Sequence, residues 1–259
     1  MPELQGSVAL VTGAAGGIGT AVVRALAERG VIVAAVDRQR DHLEAVSAEL
    51  RDEGLTVHSF PADVSDGTAV GLLVSEVEDR LGPIRLLVNG AGVLRPGEAT
   101  SIGEQDWIDT FAVNTTGVFM VSRVVAGRMI PRRHGSIVTI ASNAASTPRV
   151  RMAAYAASKA AASMFTKSLG LELAHYGIRC NVVAPGSTET PMLEALWREG
   201  GGRDATLAGD AKAFRVGIPL GKLAQASDIA HAVVFLLSEQ ADHITMQDLT
   251  VDGGATLGV

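Results

Sequence analysis

Short runs of apolar, mostly β-branched residues alternate along the chain with longer segments rich in alanine and leucine. The short runs between turn residues predict buried strands, and the longer segments that end at glycine predict helices. The predicted strands span residues 7–12, 31–36, 55–60, 85–88, 136–140, 178–183 and 248–251. The predicted helices span residues 17–29, 39–53, 67–81, about 105–133, 152–175 and 227–237.

The strands are apolar along nearly their whole length, which indicates that both faces of the sheet are covered. Strands that alternate with helices predict right-handed crossovers and therefore a doubly wound, seven-stranded parallel sheet with helices on both faces. No linker rich in proline, glycine and serine divides the chain, so residues 1–259 are expected to form one α/β domain.

Residues 188–214 break the alternation, because they combine three consecutive glycines with a mixed polarity pattern. The segment leaves the carboxyl end of the sixth predicted strand, where open α/β sheets bind ligands. We therefore expect a substrate lid of short helices here, and an ordinary surface insertion is the alternative.

Composition narrows the classes of function. A formal net charge of -6 lacks the basic footprint of a nucleic-acid binder. Cys180 is the single cysteine, so no disulfide forms within the chain. The first residues lack a basic region followed by an apolar run, and no apolar stretch approaches membrane-spanning length. We expect a cytoplasmic protein without nucleic-acid or membrane partners. The histidines and the cysteine show no metal-ligand spacing, so no metal is expected.

A glycine-rich turn, Thr-Gly-Ala-Ala-Gly-Gly-Ile-Gly, joins the first predicted strand to the first helix. Glycines let the backbone turn tightly and bring N–H groups close to a pyrophosphate at the helix end. A turn with a purely structural role is the alternative. Between a strand and a helix, this motif favours dinucleotide binding by Gly13, Gly17, Ile18 and Gly19.

Asp37 ends the second predicted strand, where the dinucleotide fingerprint places an acid on the adenosine ribose hydroxyls. A carboxylate there repels a 2′-phosphate, so NAD is favoured over NADP. Arg38 lies next to the cofactor position and opposes this preference, since its guanidinium reaches toward a phosphate if it swings outward. A helix-capping role is the alternative for Asp37.

Two further strand ends are candidates for the cofactor site. Asp63 and Val64 follow the third strand, where a carboxylate accepts a hydrogen bond from an adenine amino group, or instead caps the next helix. Asn89 and Gly90 follow the fourth strand within Asn-Gly-Ala-Gly, whose small residues let the chain pass close to a cofactor or simply make a turn.

Tyr155 and Lys159 are four residues apart in a predicted helix, so their side chains share one face. An ordinary tyrosine has a pKa of about 10, and a neighbouring cation is expected to lower it toward the working range of a base. Ser142 ends the fifth strand and presents a hydroxyl to a reacting oxygen. Asn114 has poor helix propensity and is expected to bend its helix and hold a water.

These motifs together resemble the classical short-chain dehydrogenase/reductase family over essentially the whole chain. The resemblance implies a Rossmann fold, catalytic roles for Asn114, Ser142, Tyr155 and Lys159, and a nicotinamide ribose bound by Tyr155 and Lys159. It also implies nicotinamide contacts from Pro185, Gly186 and Thr188, and a homotetramer. Asn-Gly-Ala-Gly departs from the Asn-Asn-Ala-Gly of many members by one side chain.

Several stretches, including 145–149 and 185–190, are similar to members of this family that oxidise 2,3-dihydro-2,3-dihydroxybenzoate in siderophore biosynthesis. The resemblance implies a small cyclohexadiene carboxylate substrate at Ser142 and Tyr155. A guanidinium group binds a carboxylate with two parallel hydrogen bonds, so an arginine is expected at the substrate site. Arg149 is the first candidate and Arg95 the second, and a surface ion pair is the alternative role for each. Met192 is a candidate for choosing between ring substituents.

Three alternatives stay open. The amino analogue 2,3-dihydro-3-hydroxyanthranilate differs by one substituent and belongs to antibiotic pathways. A 3-oxoacyl-carrier-protein reductase using NADPH is opposed by Asp37. A non-catalytic NAD-binding protein on the same fold is the third, although a binder needs no activated phenol.

Overall fold

The computed structural model describes residues 4–198 and 201–258. The strands are β1 Val8–Thr12, β2 Ile32–Asp37, β3 Val57–Pro61, β4 Ile84–Asn89, β5 Gly135–Ile140, β6 Ile178–Pro185, β7 Gly209–Asp210, β8 Arg215–Val216 and β9 Asp248–Val251. The α-helices are α1 Gly17–Ala27, α2 Arg40–Asp52, α3 Gly67–Leu81, α4 Glu104–Phe111, α5 Val118–Met129, α6 Ala153–Leu173, α7 Pro191–Trp197, α8 Arg203–Ala208 and α9 Ala226–Leu237.

A seven-stranded sheet in the described residues has the order β3-β2-β1-β4-β5-β6-β9, and every neighbouring pair is parallel. The chain runs from β1 outward to β3, then returns to the other side of β1 with β4. This reversal separates the loops after β1 and β4 and opens a crevice at the carboxyl ends of the strands. The predicted single-domain, doubly wound Rossmann sheet is therefore confirmed.

Each face of the sheet is covered by its own apolar core, because successive strand residues point to opposite faces. Ala9 and Val11 lie in the core beneath α1, α2 and α9, whereas Val8 and Leu10 lie in the core beneath α3, α5 and α6. The near-continuous apolar strands thus reflect burial on both faces.

Some helices and strands begin or end at residues other than those predicted from the sequence. The third strand begins at Val57 rather than residue 55, because the Leu55 N–H closes the end of α2 by donating to the Leu50 carbonyl. The predicted long helix at 105–133 is three pieces: α4, a π-helical segment Ala112–Gly117, and α5. Pro131 then lies in a 3₁₀ turn, Ile130–Arg132, since proline lacks the N–H that continues a helix.

The segment at 188–214 contains α7, α8, the strand β7 and a 3₁₀ turn, Ala211–Ala213. The β7 and β8 strands pair as a small antiparallel hairpin that the sequence pattern did not reveal. Residues 199 and 200 of the expected lid lie outside the described residues.

Candidate active site

A cavity of about 720 Å³ lies at the carboxyl ends of the parallel strands. This size is typical of sites that enclose a small molecule or a cofactor. Its lining combines the glycine turn after β1 with the ends of β2, β4, β5 and β6 and with residues of α7 and the β7–β8 hairpin. The predicted cofactor and substrate regions therefore share one continuous cleft.

The glycine turn is held tightly by its own backbone. A Cβ atom on Gly19 would lie 1.9 Å from the Gly13 carbonyl oxygen, and Gly13 adopts a left-handed φ of +69°. Neither position accommodates a side chain, so the start of α1 stays close to the turn and its free N–H groups face the cleft. No acidic residue lies in the first turn of α1, which suits an anion such as a diphosphate.

Thr12 joins this turn to the loop after β4, a role that the sequence pattern did not reveal. Its hydroxyl accepts hydrogen bonds from the Gly90 and Ala91 N–H groups at 3.1 and 3.2 Å. A Cβ on Gly90 would lie 2.7 Å from the Thr12 carbonyl oxygen, so glycine is required where the two loops meet. The Asn-Gly-Ala-Gly departure from the usual family motif therefore has a packing reason here.

Asp37 is fixed at the mouth of the cleft. Its two carboxylate oxygens accept hydrogen bonds from the Ala15 N–H at 3.2 Å and the Gln39 N–H at 3.0 Å. The second contact supports the start of α2, so part of the capping alternative is also present. Arg38 lines the cleft next to this carboxylate. The arrangement holds an acid where adenosine ribose hydroxyls are bound in dinucleotide sites.

Asp63 and Val64 both line the cleft after β3. Hydrogen bonds from the Ser65 hydroxyl and N–H lower the pKa of Asp63, so this carboxyl stays ionised. The cap of α3 is instead Asp66, which accepts from the Thr68 and Ala69 N–H groups. Capping of the helix therefore does not account for Asp63.

Asn89 does not face the cleft. Its buried amide donates to the hydroxyls of Ser122 and Thr139 at 2.9 and 3.3 Å, inside the protein. The structure thus corrects the expectation of a cofactor contact from the Asn89 side chain and leaves Gly90 in the lining.

The Tyr155 phenol and the Lys159 ammonium lie buried on one face of α6, beside the end of β5. The Lys159 Nζ atom lies 5.9 Å from the centre of the Tyr155 ring and donates to the Ile140 carbonyl at 2.8 Å. Ser142 is hydrogen-bonded to the phenol and also accepts from the Ala144 N–H. The predicted Ser142, Tyr155 and Lys159 set is thus brought together.

The electrostatics of this set differ from the sequence-based expectation. Burial raises the pKa of Tyr155, and the hydrogen bond from Ser142 lowers it only in part. Burial also lowers the pKa of Lys159 to about 8. In this structure the Ser142 hydroxyl eases ionisation of the phenol through a hydrogen bond, whereas the Lys159 ammonium donates to the Ile140 carbonyl and acts on the phenol through its charge at a distance.

Asn114 lies in the π-helical segment. Its side-chain amide forms hydrogen bonds with the backbone of the loop that contains Val93. The side-chain oxygen accepts from the Val93 N–H at 2.8 Å, and the side-chain nitrogen donates to the Val93 carbonyl and the Ser158 hydroxyl. Gly92 lies between this amide and Lys159. A Cβ on Gly92 would lie 3.2 Å from the ammonium and 3.5 Å from the amide oxygen, so a side chain there would crowd both groups. Asn114 thus lies where the predicted long helix is interrupted by a π-helical segment, and it positions the loop beside Lys159.

The end of β6 passes along the cleft through Pro185, Gly186 and Thr188. A Cβ on Gly186 would lie 2.5 Å from the Asp252 side chain, so only glycine fits there. The Thr188 hydroxyl donates to the Gly186 carbonyl at 3.2 Å, which closes the turn that leads into α7.

A family model described as short chain dehydrogenase matches residues 7–200. The chain belongs to the short-chain dehydrogenase family. It is 56% identical over 256 residues to a 2,3-dihydro-2,3-dihydroxybenzoate dehydrogenase of Bacillus subtilis (strain 168), covering 99% of this chain and 98% of that one. It is 44% identical to a vibriobactin-specific 2,3-dihydro-2,3-dihydroxybenzoate dehydrogenase of Vibrio cholerae, covering 98% of each chain.

Solved structures of the short-chain dehydrogenase family resemble this one closely. A variant actinorhodin polyketide ketoreductase with NADPH superposes with a TM-score of 0.90 at 36% identity, covering 96% of this chain and 97% of that one. A gluconate 5-dehydrogenase from Burkholderia cenocepacia in complex with NADP and tartrate gives a TM-score of 0.86 at 35% identity, covering 98% and 97%. The family and its neighbours support a nicotinamide cofactor.

The residues predicted to bind substrate in this short-chain dehydrogenase fall into two groups, those that line the cleft and one that does not. Arg149 and Met192 line the cleft, together with Ser142 and Tyr155. Arg95 is not among the lining residues, and its guanidinium lies 3.2 Å from Asp106 and 3.7 Å from Asp109 on α4. The surface ion pair, rather than a substrate contact, is therefore the observed role of Arg95.

Arg215 is a cleft residue that the sequence analysis missed. It lies in β8 and lines the same cavity as Arg149 and Tyr155. Nothing in the local sequence marked it, because its relation to Arg149 depends on how the hairpin folds back over the sheet.

Other site types find no support in the residues that the structure describes. No group of three or more histidine, cysteine, aspartate or glutamate side chains is arranged to hold a metal ion within 4–198 and 201–258. Over the same residues, no helix is both long and apolar enough to cross a membrane. Cys180 is buried, and burial raises the pKa of its thiol to about 12, which fits a packing role.

Proposed function

We propose that this protein oxidises 2,3-dihydro-2,3-dihydroxybenzoate to 2,3-dihydroxybenzoate with NAD, as a step in siderophore biosynthesis. The observation that carries the proposal is that the buried Ser142, Tyr155 and Lys159 set shares one cavity with the half-buried Arg149. The first groups suit oxidation of an alcohol, and the guanidinium suits a carboxylate on the same small ring. The names of the most similar relatives add independent support.

Each of four residues at the cleft has its own role in this reaction. Tyr155, as a phenolate, takes the proton of the ring alcohol, and the Ser142 hydroxyl donates a hydrogen bond to the same substrate oxygen. Lys159 provides positive charge close to the phenolate as it forms, and Asn114 positions the loop beside Lys159. NAD supplies the hydride acceptor when it is bound. The resulting ring ketone tautomerises to an aromatic acid, which makes the oxidation strongly favourable.

The cofactor residues of the proposal are Asp37 for the adenosine ribose and the glycine turn for the diphosphate. Asp63 and Val64 border the adenine, while Tyr155 and Lys159 hold the nicotinamide ribose. Pro185, Gly186 and Thr188 border the nicotinamide. The segment at 188–214 acts as a substrate lid, because residues of α7 and the hairpin line the cleft together with the carboxyl ends of the strands.

We also propose a homotetramer in the cytoplasm. Phe119 on α5 and Met164 and Leu171 on α6 expose large apolar side chains on the long helices. Apolar patches of this kind are typical of faces that pair with another chain.

We expect the purified protein to reduce NAD when it is given 2,3-dihydro-2,3-dihydroxybenzoate, with release of 2,3-dihydroxybenzoate. Absorbance of NADH at steady state and chromatography of the product measure the two halves of the reaction. The amino analogue 2,3-dihydro-3-hydroxyanthranilate serves as the matched substrate. A higher kcat/KM with the amino compound, or turnover of a 3-oxoacyl thioester with NADPH alone, would contradict the proposal.

Asp37→Ser is expected to shift the cofactor preference toward NADP. The variant removes the carboxylate that repels a 2′-phosphate and leaves Arg38 free to attract it, so the ratio of kcat/KM for NADP to that for NAD rises by roughly 100-fold or more. Steady-state titration with each cofactor measures this ratio. Asp41→Ser is the matched control, because Asp41 lies in the first turn of α2 and is not a lining residue. An unchanged ratio in Asp37→Ser would remove Asp37 from cofactor selection.

A further inference from the structure

Two half-buried arginines line the same cavity as Ser142 and Tyr155. Arg149 lies in the loop between β5 and α6, and Arg215 lies in β8 of the hairpin. They come from different elements that line the same cavity, since Arg149 follows β5 and Arg215 belongs to the hairpin at the end of the 188–214 segment. Such a pair of cations needs an explanation, because like charges in a partly buried space repel each other.

The Arg149 guanidinium has no hydrogen-bond acceptor and no ion-pair partner within residues 4–198 and 201–258. Burial lowers the pKa of Arg149, and the charge of Arg215 lowers it further, so the two guanidinium groups lie within electrostatic reach. Asp252 attracts Arg149 at a distance. Its oxygens accept from Asn143, Thr256 and the Gly254 N–H, and no hydrogen bond or ion pair joins it to Arg149 in the described residues.

Arg215 is oriented by a residue at the cofactor end of the cleft. Its Nη2 atom donates to the Ser187 hydroxyl at 3.1 Å, and Ser187 directly follows Gly186 at the end of β6. This contact occupies one of five N–H donors of the guanidinium. Asp210 at the other strand of the hairpin attracts Arg215 but forms no ion pair with it in the described part of the chain. The other donors of Arg215 therefore have no partner in the described part of the chain, and Arg215 lines the cavity.

A planar carboxylate satisfies both cations, since its two oxygens offer about four lone-pair sites and guanidinium groups bind them in a fork geometry. We infer that Arg149 and Arg215 together bind the carboxylate of the ring substrate, with Ser187 holding Arg215 in place. This inference rests on the proposed function and deepens it. Under this inference, binding of the carboxylate by both arginines is what selects cyclohexadiene acids over neutral ring alcohols.

The test compares an acid with a neutral substrate of the same ring. We expect Arg149→Gln and Arg215→Gln each to lower kcat/KM for 2,3-dihydro-2,3-dihydroxybenzoate by roughly 100-fold, because each removes a charge-assisted contact. The value for trans-5,6-dihydroxycyclohexa-1,3-diene, which lacks the carboxylate, is expected to change by less than about threefold. Lys212→Gln is the matched control, since it removes a positive charge from the same hairpin outside the cavity lining.

A binding measurement separates this inference from the proposed function. Calorimetric titration with 2,3-dihydroxybenzoate and with catechol, in the presence of NADH, reports carboxylate binding without turnover. Preference for the acid in the wild type and its loss in both arginine variants support the inference, even if the wild-type protein fails to oxidise the dihydro acid. An Arg215→Gln variant that binds and oxidises the acid like the wild type overturns it, while the proposed function stands. Parallel losses with acid and neutral diol would overturn it as well, because they indicate a structural role.

Discussion

Tyr155→Phe is expected to lower kcat for the dihydro acid by about 10³-fold or more, because the variant lacks the group that takes the alcohol proton. Phenylalanine keeps the aromatic ring on α6, so the fold is retained, and NAD binding loses only the contact of the phenol with the nicotinamide ribose. The Ser142 hydroxyl keeps its hydrogen bond from the Ala144 N–H. Steady-state NADH formation measures kcat, and calorimetry with NAD checks that the cofactor site is intact.

The chain offers a matched control for this variant, because its other tyrosine lies at the far end of the same helical region. Tyr176 is in the 3₁₀ turn after α6, its ring lies tilted against that of His175, and it is not among the residues that line the cleft. Tyr176→Phe is expected to leave kcat within about threefold of the wild type. Turnover of Tyr155→Phe at the wild-type rate would end the case for the phenol as the base.

Lys159→Met is expected to lower kcat/KM at pH 7 by about 100-fold. The ammonium lies 5.9 Å from the centre of the Tyr155 ring. At an effective dielectric constant of about 20, a unit charge at that distance stabilises a phenolate by roughly 3 kcal/mol. The loss of this attraction raises the energy of proton transfer to Tyr155. The variant is therefore expected to need a higher pH to form the phenolate.

The pH profile is the sharper measurement for this variant. Burial raises the pKa of Tyr155, so the rate of oxidation in the wild type is expected to increase with pH as the phenol loses its proton. Burial lowers the pKa of Lys159 to about 8, so the ammonium assists below that pH. In Lys159→Met, the loss of kcat/KM relative to the wild type is expected to be largest below pH 8, where the ammonium carries its charge, and to shrink above that pH. Lys167→Met is the control, since Lys167 pairs with Asp248 two turns further along α6.

The Lys159 side chain also makes the folding stability of the protein depend on pH. The folded pKa of Lys159 is about 8, against an ordinary value of 10.5, so between these values the unfolded chain holds a proton that the folded chain has lost. The contribution of this group to stability therefore rises with pH across that window, by up to about 3 kcal/mol. Urea denaturation is expected to show that the free energy of unfolding of the wild type gains on that of Lys159→Met between pH 8 and pH 10.5. A constant difference would mean that Lys159 is solvated in the folded protein.

The secondary structure could be predicted because its signals are local. Apolar runs located each strand of the parallel sheet, and glycines marked the ends of several helices. The helix and strand boundaries that were predicted wrongly depend on hydrogen bonds between segments. Hydrogen bonds at the end of α2 displaced the start of β3, and the contacts of Asn114 with the Val93 loop broke one long helix into pieces. Such bonds join segments that sequence periodicity treats separately.

By itself, the sequence determined the parallel α/β sheet, the glycine turn at the start of α1, and the shared helical face of Tyr155 and Lys159. These follow from residue spacing within one strand, turn or helix. Only the tertiary structure decided that Asn89 points into the core, that Arg95 pairs with α4, and that Arg215 lines the same cleft as Arg149. Those placements depend on which segments meet when the chain crosses over the sheet, and burial within that packing sets the pKa values of Tyr155 and Lys159.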